Sequence, residues 1–198
     1  MIRNVLNFHL TLREQQAQAS HWWQWPLLAK PISYYYIKYP PFASYDPAQQ
    51  PLHLDECCIA RLQAISNPAV LWFGLVSVPL VAALAWLRRG KAYLLIAVAY
   101  FVQWLPWSLS PRETFQYHFY PNVALIVLAD TIVLQQIWNA GRAGIARALA
   151  RGGVSLYLVL VAVLFLYFFP MVAGSHISWH AWRSHMWFHG WVVQNDTS

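Results

Sequence analysis

The chain has 198 residues, of which 59% are hydrophobic and only 10% charged, with a formal net charge of +6. Ordinary soluble domains carry roughly 25% charged residues, so this composition argues against a soluble globular fold. It favours a chain whose solvent is lipid.

Residues 1–67 come first and contain no apolar run of membrane-spanning length. Met1 to Gln50 lacks the basic start, apolar core and small-residue cleavage site of a secretory leader. Cys57 and Cys58 are adjacent, which fits neither a zinc spacing nor a disulfide framework. They read as free or one-sidedly paired thiols, with a strained vicinal disulfide as the alternative. Four apolar runs follow, at 68–87, 92–109, 121–138 and 154–170, each 17 to 20 residues long. About 20 residues cross a hydrocarbon layer of about 30 Å as a helix. The expectation is an all-α membrane protein with a four-helix transmembrane region over 68–170, between the segment 1–67 and a Trp/His-rich tail, 171–198.

Pro79 and Pro106 are expected to bend their helices, which a membrane bundle tolerates. Asp130 falls near the middle of the third run, where a charge costs several kcal/mol. Counting from the run ends puts Gln103 at a similar depth, so a protonated Asp130 bonded to Gln103 is expected, with a proton pathway as the alternative. Arg88, Arg89 and Lys91 lie between the first and second runs, and Arg142, Arg147 and Arg151 between the third and fourth. Basic loops of this kind stay in the cytoplasm. Ser110–Tyr120 and both terminal segments are then extracytoplasmic. Arg147 and Arg151 share a helical face with Ile145 and Leu149, which suits a short helix lying on anionic lipid.

In the tail, His176/His180 and His185/His189 have the i,i+4 spacing that can put two imidazoles on one metal. Nothing nearby offers a clear third ligand, so no metal is expected. No histidine lies inside an apolar run, which argues against a haem bundle. Three segments combine aromatic with polar chemistry: "SHWWQWPL", "SPRETFQYHFYP" and "SWHAWRSHMWFHGW". Tryptophan and tyrosine gather at membrane interfaces because their rings are amphipathic. That does not explain why these segments fall on one side while the basic loops hold no aromatic residue. Flat rings on one face suit the faces of sugars.

In this order "NFHLTL", "SHWWQWPLLAKPISYYY", "NPAVLWFGL", "SPRETFQYHFYP" and "MWFHGW" resemble the C-terminal four-helix region of the protein O-mannosyltransferases, particularly the bacterial branch. The R-x-x-F-x-Y-H-x-x-P element is matched at Arg112, Phe115, Tyr117, His118 and Pro121, and W-x-W-P at Trp23, Trp25 and Pro26. Two departures stand out. Gln16, Ala17 and Gln18 stand where the family usually has His-Pro-Tyr, and Trp22 replaces a proline.

The resemblance implies transfer of mannose from a polyprenyl-phosphate carrier to Ser/Thr of exported proteins, on the outer face of a bacterial plasma membrane. Polyprenyl-phosphate mannose is then the lipid-linked donor, with no separate cofactor. Expected partners are membrane lipids, the carrier, the acceptor protein and an N-terminal catalytic half; no nucleic acid is expected. The family's catalytic Asp-Glu pair belongs to that half. Asp55-Glu56 lies downstream of the tryptophan motif and does not inherit the role. No catalytic residue is therefore assigned to this chain, which alone is expected to be inactive. The expected substrate-binding residues are Arg112, Tyr117, His118, Trp23 and Trp25. A non-enzymatic membrane subunit that binds a partner or lipid is the alternative. An unrelated redox or transport bundle is disfavoured by the order of the motifs.

Overall fold

The computed structural model describes residues 17–38, 58–141 and 143–192. Four helices dominate: α1 (Pro68–Arg88), α2 (Lys91–Trp104), α3 (Tyr120–Ala140) and α4 (Gly144–Ala173). With the 3-10 turns that extend α2 and precede α3, all four are long and apolar enough to cross a membrane. Each boundary has a local cause. Asn67 caps α1 by accepting the Ala69 N–H, and Pro68 occupies the first turn, where its missing N–H costs nothing. Gly174 ends α4 in the left-handed conformation, φ 64°.

Pro79 sits within an uninterrupted α1. Pro106 instead marks the point where α2 gives way to a 3-10 turn, Leu105–Leu109. The stretch holding Arg147 and Arg151, expected as a separate surface helix, is the first part of α4, which runs unbroken for 30 residues. Such a helix is about 45 Å long, so it outreaches the hydrocarbon. Its good helix formers, Ala146, Arg147, Ala148 and Leu149, give the chain no reason to stop.

The core runs between α1 and α3. Leu71, Val78 and Val81 of α1 meet Ile126, Ala129 and Val133 of α3, with Tyr100 of α2 and Phe168 of α4 closing the sides. Gly74 makes the close approach possible, since a Cβ there would stand 2.6 Å from Ile126 Cγ2. At mid-depth Ser77 donates its hydroxyl to Asp130, and Tyr157 OH donates to the other carboxyl oxygen at 3.4 Å. The expected Gln103 partnership is therefore corrected. Gln103 donates to the His118 carbonyl at 3.4 Å. The reason is that the 3-10 turn Gln116–Phe119 folds back against the last turns of α2. That starts α3 beside Gln103 and Trp104 and carries Asp130, about three turns further on, deeper than Gln103.

The all-α expectation also needs correction, although the chain is mostly helical. Strands β1 (Ile32–Lys38), β2 (Cys58–Ala64) and β3 (His176–Ser178) form an antiparallel sheet in that order. A short helix α5 (Trp179–His185) follows β3. The sheet sits at the C-terminal end of α4, where Leu62 lies 3.7 Å from the position a Gly174 Cβ would take. Arg61 is buried here, donating to Ser33 Oγ at 2.7 Å with its guanidinium over the Trp182 ring. Asp55, Glu56 and Cys57 lie outside the described residues.

Candidate functional site

Two loops are clasped together at the end of the bundle that carries the sheet. Ser20 N–H donates to the Thr114 carbonyl at 2.8 Å, and Thr114 Oγ1 donates back to the Ser20 carbonyl at 2.7 Å. Ser20 Oγ accepts the indole N–H of Trp25 at 3.0 Å, closing the turn Trp22–Gln24. The Trp25 carbonyl accepts from Gln116 Nε2 at 2.9 Å, and the Trp22 carbonyl from Trp104 Nε1 at 2.9 Å. Apart from the Ser20–Trp25 side-chain pair, each bond satisfies a backbone group that irregular structure would otherwise leave unpaired. Rigid loops are the result.

Between them lies a half-open groove of about 430 Å³. Ser20, His21 and Trp22 line one side, and Trp107, Ser110, Arg112, Glu113 and Thr114 the other. Hydroxyls, an imidazole, a carboxylate and a guanidinium thus share a small volume with two indole rings. Arginine's planar fork suits phosphate oxygens, and indole faces suit the apolar faces of sugars.

The five expected residues do not all meet there. Arg112 lines the groove. Trp25 is fully buried behind it, with its ring 6.0 Å from that of His118 and stacked on it. His118 is packed against Trp107 at 4.1 Å and Tyr117 at 4.3 Å. Its Nδ1 faces the Phe115 backbone, 3.2 Å from the N–H and 3.0 Å from the carbonyl oxygen, which leaves Nε2 for anything else. Tyr117 is partly exposed and stacks on Phe115. Tyr34 of β1 is largely exposed, and partial burial of its phenol, with the neighbouring Tyr117, raises its pKa above the ordinary value. Trp23 is half exposed and stacks on His21. Trp22 and Trp107, which sequence reasoning passed over, supply the groove's aromatic walls. Trp22 lies in the same tryptophan motif, but only the turn shows which ring faces in.

The tail locks onto the first loop. Trp191 Nε1 donates to the Leu28 carbonyl at 2.6 Å, and Gln63 Nε2 to the Trp191 carbonyl at 3.1 Å. Gly190 is required by contact, because a Cβ there would stand 2.4 Å from the Ala29 carbonyl oxygen. His185 has a structural place, with Nε2 2.7 Å from the Tyr167 carbonyl oxygen. Among the described residues no group of three His, Cys, Asp or Glu side chains is arranged to hold a metal.

The polyprenol-phosphate-mannose–protein mannosyltransferase of Mycobacterium tuberculosis is 24% identical to this chain over 196 residues, covering 94% of the chain and 35% of that protein. The protein of the same name from Corynebacterium glutamicum is 27% identical over 199 residues, covering 95% and 35%. The chain thus spans about a third of the length of these curated relatives. In a solved structure, the Saccharomyces cerevisiae protein O-mannosyltransferase complex bound to the sugar donor, one chain superposes with a TM-score of 0.65. That match has 18% identity and covers 99% of this chain and 26% of the other, a likeness of fold. The family described as the C-terminal four TMM region of protein-O-mannosyltransferase matches residues 2–191. That range takes in the tryptophan loop, the Arg112 loop and the tail through Trp191, and the chain belongs to that family.

Proposed function

We propose that this chain is the carrier-binding membrane part of an enzyme that moves mannose from a polyprenyl-phosphate carrier to Ser/Thr of exported proteins. It works with the portion of its relatives that it does not match. In this reading the clasped-loop end faces the extracytoplasmic side of a bacterial plasma membrane, and the basic turns face the cytoplasm. The bond from the mannose anomeric carbon to the carrier phosphate oxygen breaks, and a bond to the acceptor hydroxyl oxygen forms. A carboxylate outside this chain takes the hydroxyl proton. The carrier departs as a phosphate monoester with more negative charge than the diester had. A cation held beside it stabilises that change.

The observation that carries the proposal is the position of Arg112, on the wall of a groove whose two loops are bonded to one another at the end of an apolar bundle. Tyr117 and His118 stand behind it, Trp25 supports the His118 ring, and Trp23 lies outward on the same loop. The test is carrier binding by the complete enzyme. Arg112→Ala should weaken it about ten- to a hundredfold, the size of a charge-assisted contact of roughly 1.5–3 kcal/mol. Arg112→Lys should lose part of that, keeping charge without the fork, and His118→Ala less than Arg112→Ala. Carrier affinity unchanged in Arg112→Ala would make the loop a structural corner and end the proposal.

A further inference from the structure

The opposite end of the bundle has a hollow that the clasped loops do not explain. α1 and α2 are joined by a turn holding Arg88, Arg89 and Lys91, and an apolar cleft of about 620 Å³ opens between them. Ala82 and Ala85 line it from α1 and Ala97, Val98 and Phe101 from α2, with Arg89 also on its wall. The three alanines leave the space that larger side chains would fill.

Arg89 is itself unusual. Its backbone is left-handed, φ 49°, which only one other non-glycine among the described residues shares. A side chain there is disfavoured by steric clash that glycine escapes. An arginine rather than a glycine at such a position points to a use for its side chain. The turn holds three cations and no acidic residue, so its complement is an anion. At the same end the Arg151 guanidinium lies over the Trp138 ring at 5.1 Å, a pairing suited to the headgroup level.

We propose that this cleft seats one acyl chain of an anionic phospholipid, with the lipid phosphate held by Arg89. Hydrocarbon fills the alanine-lined hollow, and the guanidinium meets the headgroup where the chain leaves it. Charge selects the lipid class, because a zwitterionic headgroup offsets the phosphate with its own cation.

The test uses the protein carrying the whole chain, in detergent, titrated with phosphatidylglycerol or phosphatidylcholine. Native mass spectrometry counts retained lipid and thermal melting reads stabilisation. One phosphatidylglycerol should stay bound and should raise the melting temperature more than phosphatidylcholine does. Arg89→Gly relieves the backbone, so melting in phosphatidylcholine should hold or rise, while phosphatidylglycerol affinity should fall about tenfold. Val98→Trp, made on a half-exposed wall of the cleft, should weaken the same lipid with the turn's charge intact. Equal effects of the two lipids, or undiminished binding by Arg89→Gly, would overturn the proposal. Loss in Arg89→Gly with none in Val98→Trp would reduce the site to a headgroup patch and overturn the acyl seat. A Val98→Cys variant that cross-links to another helix of the same protein would show that polypeptide, not lipid, fills the cleft, and would overturn the proposal.

Discussion

The two ends of the bundle are held by different forces. At the clasped end, side chains bond to the backbone of segments far away in sequence: Gln63 to Trp191, Gln116 to Trp25, Trp191 to Leu28, and Tyr120 to Ala64. At the basic end, α1 passes to α2 and α3 to α4 through short turns, and Arg88, Arg89 and Lys91 around the first turn are exposed. Apolar packing tolerates sliding. A buried bond to a named carbonyl does not, because losing it leaves a polar group unsatisfied. A groove built from irregular backbone therefore needs such bonds, whereas the cleft at the basic end lies between two regular helices, which tight turns suffice to join.

The largest break in this comparison should come from Gly190→Ala. The added Cβ would meet the Ala29 carbonyl oxygen, a backbone atom that cannot rotate away. Separating the two segments would also lengthen the Trp191–Leu28 bond. Overpacking of this kind costs about 1–3 kcal/mol, and the lost bond adds to it. Thermal melting in detergent should show the drop, and cysteine accessibility at Ala29 should rise with it. A melting temperature equal to the parent's would mean that the tail is not a structural strap.

How far this end could be read from the sequence follows from the same physics. Span-length apolar runs were legible because lipid demands continuous hydrophobicity, and helices occupy all four. Asp130 was legible as a buried group in need of partners, but not the identity of Ser77 and Tyr157. Those depend on how deep α3 begins. The sheet is not legible in the sequence, since "ISYYYIK" and "CIARLQA" are short and polar Ser33, Arg61 and Gln63 make contacts within the protein that alternation with water would not suggest. Within the tryptophan motif every ring looked equivalent. The 3-10 turn at Trp22–Gln24 sets Trp22 on the groove and Trp25 behind it. That is a rotational detail that composition does not encode.

A smaller break should follow from the buried pair Trp25 and Ser20. Trp25→Phe removes the indole N–H and strands the Ser20 hydroxyl; Ser20→Ala strands the N–H. Each should cost about 1 kcal/mol, and the double variant should cost less than the sum, because one bond cannot be lost twice. Additive effects in melting measurements would show that the two side chains act separately.

The smallest effect should come from lengthening a turn at the basic end. Inserting Gly-Ser between Arg89 and Gly90 adds two residues to a connection that makes no described hydrogen bond to the distant segments. Loop-closure entropy grows slowly with length, about 0.6 kcal/mol per doubling, so melting should barely move. The same insertion between Ser110 and Pro111 is the control. That loop must bring Thr114 to Ser20 within hydrogen-bond reach at both atoms, and two extra residues loosen the clasp. Melting should fall there, and carrier binding should fall with it, because Arg112 moves on the same loop. Equal tolerance at both positions would mean that the clasp does not set the groove, and the contrast between the two ends would fail.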